Sequence, residues 1–342
     1  MPFDPFQSIP LGRTSLAVTR LAFGGGSIGG LFRPVAAREA ADMVEYAWSI
    51  GIRYFDVAPL YGYGASERAM GAALAGRPRD EYVLSTKVGR LVREAGDVRP
   101  GDEVDLQALG DQHDAFYAGT DGRRVVFDYS ADGVRRSVEA SLARLGLDRV
   151  DILYIHDPDS HWQVALDEAY PALEKLRADG VVAAIGAGMN QSAMLARFAQ
   201  ETDMDVFLVA NRYTLLDQDA LPELLPLCLA RGIAVVVAGV MNTGVLVDPQ
   251  PGSRFDYGPA PDAVIERARR IGAVCDRHGV SRRAAAIQFP LAHPAVAGLI
   301  AGVRTHAHLD DYPASLRLSI PSQLWAELRA EGLIAAEAPT PG

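Results

Sequence analysis

The sequence predicts a single (β/α)8 TIM barrel, an α/β fold, on three observations. Eight short apolar runs stand along the chain, and their starts are separated by 33, 28, 68, 32, 24, 28 and 62 residues. Five of these seven intervals fit one strand–helix unit and two fit a unit plus an insertion, which gives the strand count of a closed barrel. Most runs are continuously apolar rather than alternating, as parallel strands covered on both faces require. Nothing in the composition marks an interdomain linker, whereas a doubly wound sheet uses about five or six strands and leaves the remainder for a second domain. Residues 1–342 are therefore expected to form one barrel domain.

The elements follow in order. Residues 9–21 alternate around Gly12-Arg13 and predict an N-terminal β-hairpin placed to plug the N-terminal mouth of the barrel. The strands are expected at Leu21–Gly25, Tyr54–Ala58, Tyr82–Val88, Val150–His156, Val182–Gly188, Val206–Arg212, Ala234–Val240 and Val296–Val303. Between them run amphipathic helical faces: Val134, Val138, Leu142 and Leu145; Val264, Ala268, Ile271 and Cys275; and Leu221, Leu224, Leu225, Cys228 and Leu229, closed by Gly232 as a C-cap. A long loop after strand 3, residues 88–128, carries nine acids against five arginines and so contributes −4. It belongs on the C-terminal face, where barrel sites form, either as a solvated excursion or as a substrate lid.

Composition narrows the function classes. With 33 Lys+Arg against 43 Asp+Glu the formal charge is −10, and 49% of residues are hydrophobic against 22% charged. That balance excludes a disordered, coiled-coil or collagen-like chain and argues against gripping nucleic acid or an anionic membrane. The two cysteines, Cys228 and Cys275, form no metal or redox spacing and sit on apolar helix faces. Met1–Pro10 has no basic-then-apolar run, and the charge-free stretch Ala284–Val303 is broken by Pro290 and Pro294. No signal peptide or membrane span is expected, and the predicted location is cytoplasmic.

Barrel sites are built from polar residues at strand C-termini. Strand two ends in Asp56 and leads through Pro59 and Leu60 to Tyr61; strand three carries Lys87; strand four ends in His156. A carboxylate, a phenol, an ammonium and an imidazole therefore converge on one rim, and together they make a proton-transfer device. A phenol is a weak base at neutral pH, a neighbouring ammonium favours its ionised form, and a buried ammonium needs a carboxylate partner. An imidazole beside them orients a substrate hydroxyl.

In these residues the chain resembles the aldo-keto reductases. The likeness runs through Asp56-Val57-Ala58, Tyr61-Gly62, Ser66-Glu67, Thr86-Lys87, the helix end Leu142…Leu145-Gly146 with Asp148, Val150-Asp151, and His156. It implies that Asp56, Tyr61, Lys87 and His156 are the catalytic residues, with Tyr61 the acid/base. Phe127-Asp128-Tyr129-Ser130, Ile155-His156-Asp157-Pro158 and Arg212-Tyr213-Thr214-Leu215-Leu216-Asp217 are similar to the family's sugar-oxidising branch. The resemblance thus implies NAD(P)-dependent oxidation of the anomeric hydroxyl of a small neutral aldose to its lactone. Alternatives are oxidation of pyridoxal, NADPH-dependent reduction of aldehydes or ketones, and a nucleotide-binding module without turnover. An acidic rim suits a neutral sugar better than a phosphorylated one.

For the nicotinamide cofactor the same resemblance points to Asn190, without the family's serine partner, and to Asn211, Gly239, Met241 and Asn242 after strands six and seven. Near the C-terminus Gly302-Val303-Arg304-Thr305 opens a helix whose free N–H groups form an anion site, with His308 and Asp311 further along. NAD is expected over NADP for want of a second clear cation. Gly24-Gly25-Gly26-Ser27-Ile28-Gly29 fits G-x-G-x-x-G, but Pro34 follows and no helix opens inside it. Gly25 and Gly26 are instead expected to give the nicotinamide end access to backbone. Loop position nominates Tyr63, Asp157, His161, Trp162 and Arg212 as substrate contacts. The run from His156 to His161 lacks a third cluster, so no metal is expected.

Overall fold

The computed structural model describes residues 2–105, 117, 122–256 and 258–342. Eight parallel strands close into a barrel: β3 (Leu21–Gly24), β4 (Tyr54–Asp56), β5 (Val83–Val88), β9 (Ile152–His156), β10 (Ala184–Met189), β11 (Val206–Ala210), β12 (Ala234–Ala238) and β15 (Val296–Ala301), with β15 pairing back onto β3. All eight expected runs are strands. Most end earlier than their apolar stretch, because the last residues turn outward onto the C-terminal rim.

Alternation along each strand sorts side chains into two cores. Tyr54, Ile152, Tyr154, Val206, Leu208, Val236 and Ile300 fill the barrel, while Phe55, Leu153, Ile155, Phe207 and Val235 face the surrounding helices. The hairpin of β1 (Ser8–Pro10) and β2 (Ala17–Thr19) plugs the barrel floor as expected: Leu11 and Val18 belong to the barrel-filling cluster. Arg13 at its turn donates to the Asp203 carbonyl at 2.8 Å and pins the hairpin to the loop before β11.

Two acids lock strand register at the same end. Asp151 accepts the Leu84 N–H of β5 at 2.7 Å and Arg79 at 2.7 Å; Asp205 accepts the Ile185 N–H of β10 at 3.0 Å and Arg177 at 2.8 Å. Nearer the site, the fully buried Glu67 accepts Thr86 Oγ1 at 2.8 Å and Arg144 Nε at 2.5 Å. It thereby ties the helix Ala65–Leu74 to β5 and to the helix Ala131–Leu145.

The helix carrying Val134 and Val138 and the helix Asp262–Arg277 bury most of their expected faces, with Leu142 and Val264 half-buried against the core. The helix Leu224–Arg231 starts after Leu221 and ends at Gly232 in left-handed conformation (φ 65°). Leu229 departs from expectation: it is 51% exposed, because it falls on the outer face of that short helix.

The described residues after strand 3 include strands as well as loop. β6 (Arg90–Glu94), β7 (Glu103–Val104) and β8 (Arg123–Phe127) form a three-stranded antiparallel flap in the order β6-β8-β7. Residues 106–116 and 118–121 of the expected lid lie outside the described residues. A bridge pairs Tyr117 with Leu31 on the loop after β3. The long interval after β12 holds the small hairpin of β13 (Arg254–Phe255) and β14 (Gly258–Pro259) and two helices. Among the described residues no helix is long and apolar enough to cross a membrane.

Candidate active site

Asp56 is the last residue of β4, beside Ser85 in the neighbouring strand; Lys87 lies level with Tyr154, and His156 with Gly188. Ser85 and Lys87 share the inward face of β5, two residues apart, and Tyr154 and His156 do the same on β9. The rim is therefore fixed by pleat and register before any loop contributes.

At its centre, Lys87 is 1% exposed and uses all three of its ammonium donors. They reach Asp56 Oδ1 at 2.8 Å, Asp56 Oδ2 at 2.7 Å and the Val57 carbonyl at 2.9 Å. Ser85 Oγ adds a bond to Asp56 Oδ1 at 2.7 Å. A saturated ammonium acts as a fixed charge rather than a proton donor, and that charge stands 4.8 Å from the centroid of the Tyr61 ring. Below, Tyr54 and Tyr154 share a hydrogen bond of 3.0 Å, and burial pushes both phenols well above their ordinary range, so the floor stays neutral.

His156 meets the Tyr61 ring edge-on, with centroids 5.8 Å apart. Burial, then the charges of Arg90 and Lys87, hold its pKa well below the usual imidazole range, so it is neutral at physiological pH. Its Nδ1 is buried and has no hydrogen-bond partner among the described residues.

Tyr61 is set by a glycine contact. The loop after β3 lies backbone to backbone on the turn carrying Tyr61 and Gly62. A Cβ at Gly29 would fall 2.7 Å from the Tyr61 carbonyl carbon and 2.9 Å from the Gly62 nitrogen; a Cβ at Gly62 would strike the Gly29 carbonyl oxygen. Gly29→Ala must move one backbone or the other. The expected result is turnover lowered about 100-fold, the loss that accompanies displacement of a reacting group by roughly 1 Å. Steady-state assay alongside thermal unfolding checks it, and full turnover in a folded variant would contradict the positioning role.

Along the far side of the rim, Asn211 Nδ2 donates to Asn190 Oδ1 at 3.1 Å, and Asn242 Nδ2 to the Asn211 carbonyl at 3.3 Å. Asn211 and Asn242 both hold positive φ, at 64° and 47°, which asparagine tolerates better than other side chains. Gly239 (φ 67°) is glycine because a Cβ would strike Asn211 Oδ1, and half-buried Met241 follows it. Further round, Thr305 caps the helix His306–Leu316 by accepting the His308 N–H at 3.2 Å. Arg304 donates to the Leu31 carbonyl, and Gly302 faces Ser27. Among the described residues no group of three or more His, Cys, Asp or Glu is placed to hold a metal ion.

The aldo/keto reductase family model matches residues 20–331. The chain belongs to this family. As an aldo-keto reductase it is 44% identical over 329 residues to a D-threo-aldose 1-dehydrogenase from Pseudomonas sp, covering 95% of this chain and 96% of that one. It is 41% identical to a pyridoxal 4-dehydrogenase from Microbacterium luteolum, covering 95% and 97%. A holo-form aldo-keto reductase from Bacillus halodurans superposes with a TM-score of 0.75 at 22% identity, over 97% of this chain and 98% of that one, and this likeness concerns the fold.

In this reductase Asp56, Tyr61, Lys87 and His156 stand together, as the sequence implied, but two nominated substrate contacts face elsewhere and a third has its charge engaged by acids. Tyr63 (φ 50°) is turned beneath the flap among Leu60, Tyr117 and Val125, where burial pushes its phenol to about 12. Trp162 packs on Phe198, centroids 4.5 Å apart, with Arg197 stacked 3.9 Å from its ring, so the indole serves the outer wall. Arg212 is clamped by Asp256 at 3.0 and 2.6 Å and by Asp217 at 3.3 Å. Asp157 and His161 remain at the rim. His161 lies against Phe127 and Tyr129 and shares a hydrogen bond of 3.0 Å with Glu103 of the flap.

Among the nominated cofactor residues, Gly25 is buried: a Cβ there would strike Ser66 Oγ, and its N–H donates to the Asp56 carbonyl at 2.7 Å. Gly26 stays half-exposed, with the Tyr117 hydroxyl 3.9 Å from where a Cβ would lie. Asp311 pairs with Arg283 at 3.3 Å. Sequence reasoning passed over Ser85, whose two-residue offset from Lys87 was a readable signal, and Arg90, which had counted only toward a loop's net charge.

Proposed function

We propose that this aldo-keto reductase oxidises the anomeric hydroxyl of a small neutral aldose, of the L-fucose, D-arabinose or L-galactose type, to its lactone with NAD as acceptor. The observation that carries the reading is the saturated Lys87–Asp56 pair beside Tyr61 and neutral His156, in a chain 44% identical to an aldose 1-dehydrogenase.

The rim fits a nicotinamide dinucleotide. Asn190 and Asn211, bonded to each other, offer amide donors and acceptors, buried Asn242 Oδ1 has no partner among the described residues, and the helix capped by Thr305 presents free N–H groups to phosphate. Gly26, Gly239, Met241, Gly302, Arg304 and His308 line the path between. When bound, the nicotinamide supplies the hydride acceptor.

The chain's own residues handle the proton. Tyr61, its ionised form favoured by the fixed Lys87 charge, takes the proton of the anomeric hydroxyl as the C1–H bond breaks and C1 becomes the lactone carbonyl. Neutral His156 holds the same oxygen and keeps it in line. Through Arg90 on Asp157 and Glu103 on His161 the described strands of the flap stand beside the rim, where they would act as a lid. NAD over NADP is supported by Arg304 and its neighbour Arg33 being engaged, with Leu31 and Glu39, and by Asp42 pairing with His306 at 2.8 Å and Asp310 with Tyr46 at 2.7 Å near the helix start. An acidic surround favours a ribose diol over a 2′-phosphate.

The test is a panel of L-fucose, D-arabinose, L-galactose, pyridoxal and simple aldehydes, assayed with each dinucleotide by nicotinamide absorbance. Reduction of NAD+ by at least one aldose is expected. Turnover of pyridoxal alone, or only NADPH-dependent aldehyde reduction, would replace this reading.

A further inference from the structure

One cluster at the rim has no part in the proton transfer. Asp157 follows His156 and holds a left-handed backbone (φ 42°), fixed by its N–H donating to the Gly188 carbonyl at 3.1 Å and its carbonyl accepting Tyr129 at 2.9 Å. This conformation turns the carboxylate back toward the site. Its Oδ2 lies 3.6 Å from His156 Nε2 and 3.5 Å from Arg90 Nη2, and the Asn190 N–H donates to the same carboxylate. Arg90 is in turn held by Asp105 of the flap at 2.5 Å, and by Phe127, whose ring lies 5.1 Å beneath it. Asp105 is 1% exposed, so the guanidinium joins a buried flap carboxylate to a rim carboxylate.

Two carboxylates share one guanidinium here, so the Arg90 charge is divided between them. A carboxylate has about four lone-pair sites. The contacts just named leave acceptor capacity at Asp157, whose Oδ2 lies 3.6 Å from His156 Nε2, the ring nitrogen beside it. Oxygens on adjacent sugar carbons are spaced by about a hydrogen-bond length.

We propose that Asp157 selects polyhydroxylated substrates by accepting the hydrogen bond of the hydroxyl on the carbon next to the reacting one, with Arg90 as the positioning residue that ties this carboxylate to the flap. This inference rests on the aldose reading above. A site built to bond a hydroxyl leaves its acceptor unpaired when the hydroxyl is missing, which penalises the deoxy analogue.

The experiment compares each aldose with its 2-deoxy analogue in wild type, Asp157→Asn and Arg90→Lys, with cofactor affinity followed by fluorescence titration and folding by thermal melts. Wild type is expected to prefer the 2-hydroxy sugar by about 10- to 100-fold in kcat/KM, the range for a hydrogen bond to a charged group. In Asp157→Asn the amide oxygen is an uncharged acceptor, so that ratio falls to the few-fold preference of a neutral hydrogen bond while cofactor affinity holds. Arg90→Lys keeps the charge but loses the forked contact; its KM for the 2-hydroxy sugar rises more than its kcat falls.

A pH profile gives a second readout. Burial is the main reason the Asp157 carboxyl rises to about 6; Asp159 adds to this, and Arg90, Lys87 and the Asn190 N–H oppose it beside neutral His156. The acid limb of kcat/KM for the 2-hydroxy sugar should therefore centre near 6 and vanish in Asp157→Asn. An unchanged preference in Asp157→Asn, or equal losses on both sugars, overturns the inference while the aldose reading stands. Absence of any aldose turnover in wild type overturns both.

Discussion

Tyr61→Phe is expected to lower kcat by about 10²- to 10⁴-fold, the range supplied by a positioned general acid/base, and to leave dinucleotide affinity where it was. The substitution removes one oxygen and keeps the ring. The ring supplies the contacts that shape the site: the edge of His156 at 5.8 Å, Tyr117 at 6.0 Å, and the ammonium of Lys87 at 4.8 Å. Fold and cofactor pocket therefore persist while the group that accepts the hydroxyl proton is lost. Steady-state kinetics on the best aldose, with fluorescence titration of NADH, reads both quantities. Full turnover would assign the proton to another group. Unaltered nucleotide binding in a wild type without turnover would favour a binding module.

Lys87→Met carries the second large effect, and it acts on two properties that a further variant separates. Lys87 and Asp56 are nearly fully buried, at 1% and 3% side-chain exposure, and the ammonium is held by three bonds. Removing it leaves the Asp56 carboxylate in the barrel with Ser85 as its remaining hydroxyl donor, at 2.7 Å. Breaking one side of a buried pair costs about 3–5 kcal/mol, largely because the surviving charge is uncompensated. Lys87→Met should therefore melt early and also turn over at least about 10³-fold more slowly, since Tyr61 loses the fixed charge 4.8 Å from its ring.

In the double variant Lys87→Met with Asp56→Asn, both charges are gone and Ser85 still finds an acceptor in the amide oxygen. Stability should largely return while turnover does not. Thermal melts of the two variants with parallel assays decide the matter. If activity recovered along with stability, Lys87 would be a structural residue and the catalytic role assigned to it would be wrong.

The legible and illegible parts of this molecule divide along the range of the interactions involved. The eight strands read correctly because each is buried on both faces and announces itself in consecutive residues such as Val206 to Val209 or Val235 to Val237. The hairpin plug read correctly because its alternation is local. The placement of Asp56, Lys87 and His156 was legible because each closes or nearly closes a strand, and strand ends in a barrel meet on one rim.

The errors fall on turns. Tyr63 lies two residues from Tyr61, but its left-handed backbone (φ 50°) sends it beneath the flap; Trp162, soon after His156, opens a helix and packs on the outer wall. Arg212 follows β11 at the rim, yet Asp256, 44 residues away, takes its charge.

What the sequence determined by itself was the barrel, its plug and the four residue types at the rim, because periodicity and strand ends are properties of neighbouring residues. The tertiary structure alone decided three things. Gly29 and Gly62 touch through their backbones to set Tyr61; Arg90 joins Asp105 to Asp157; and β6, β7 and β8 form a sheet whose Glu103 and Arg90 reach His161 and Asp157 of the rim. Each depends on contacts between segments distant in the chain. Such contacts follow from how closely two backbones approach and which charges find each other once water is excluded, and neither is written in the order of neighbouring residues.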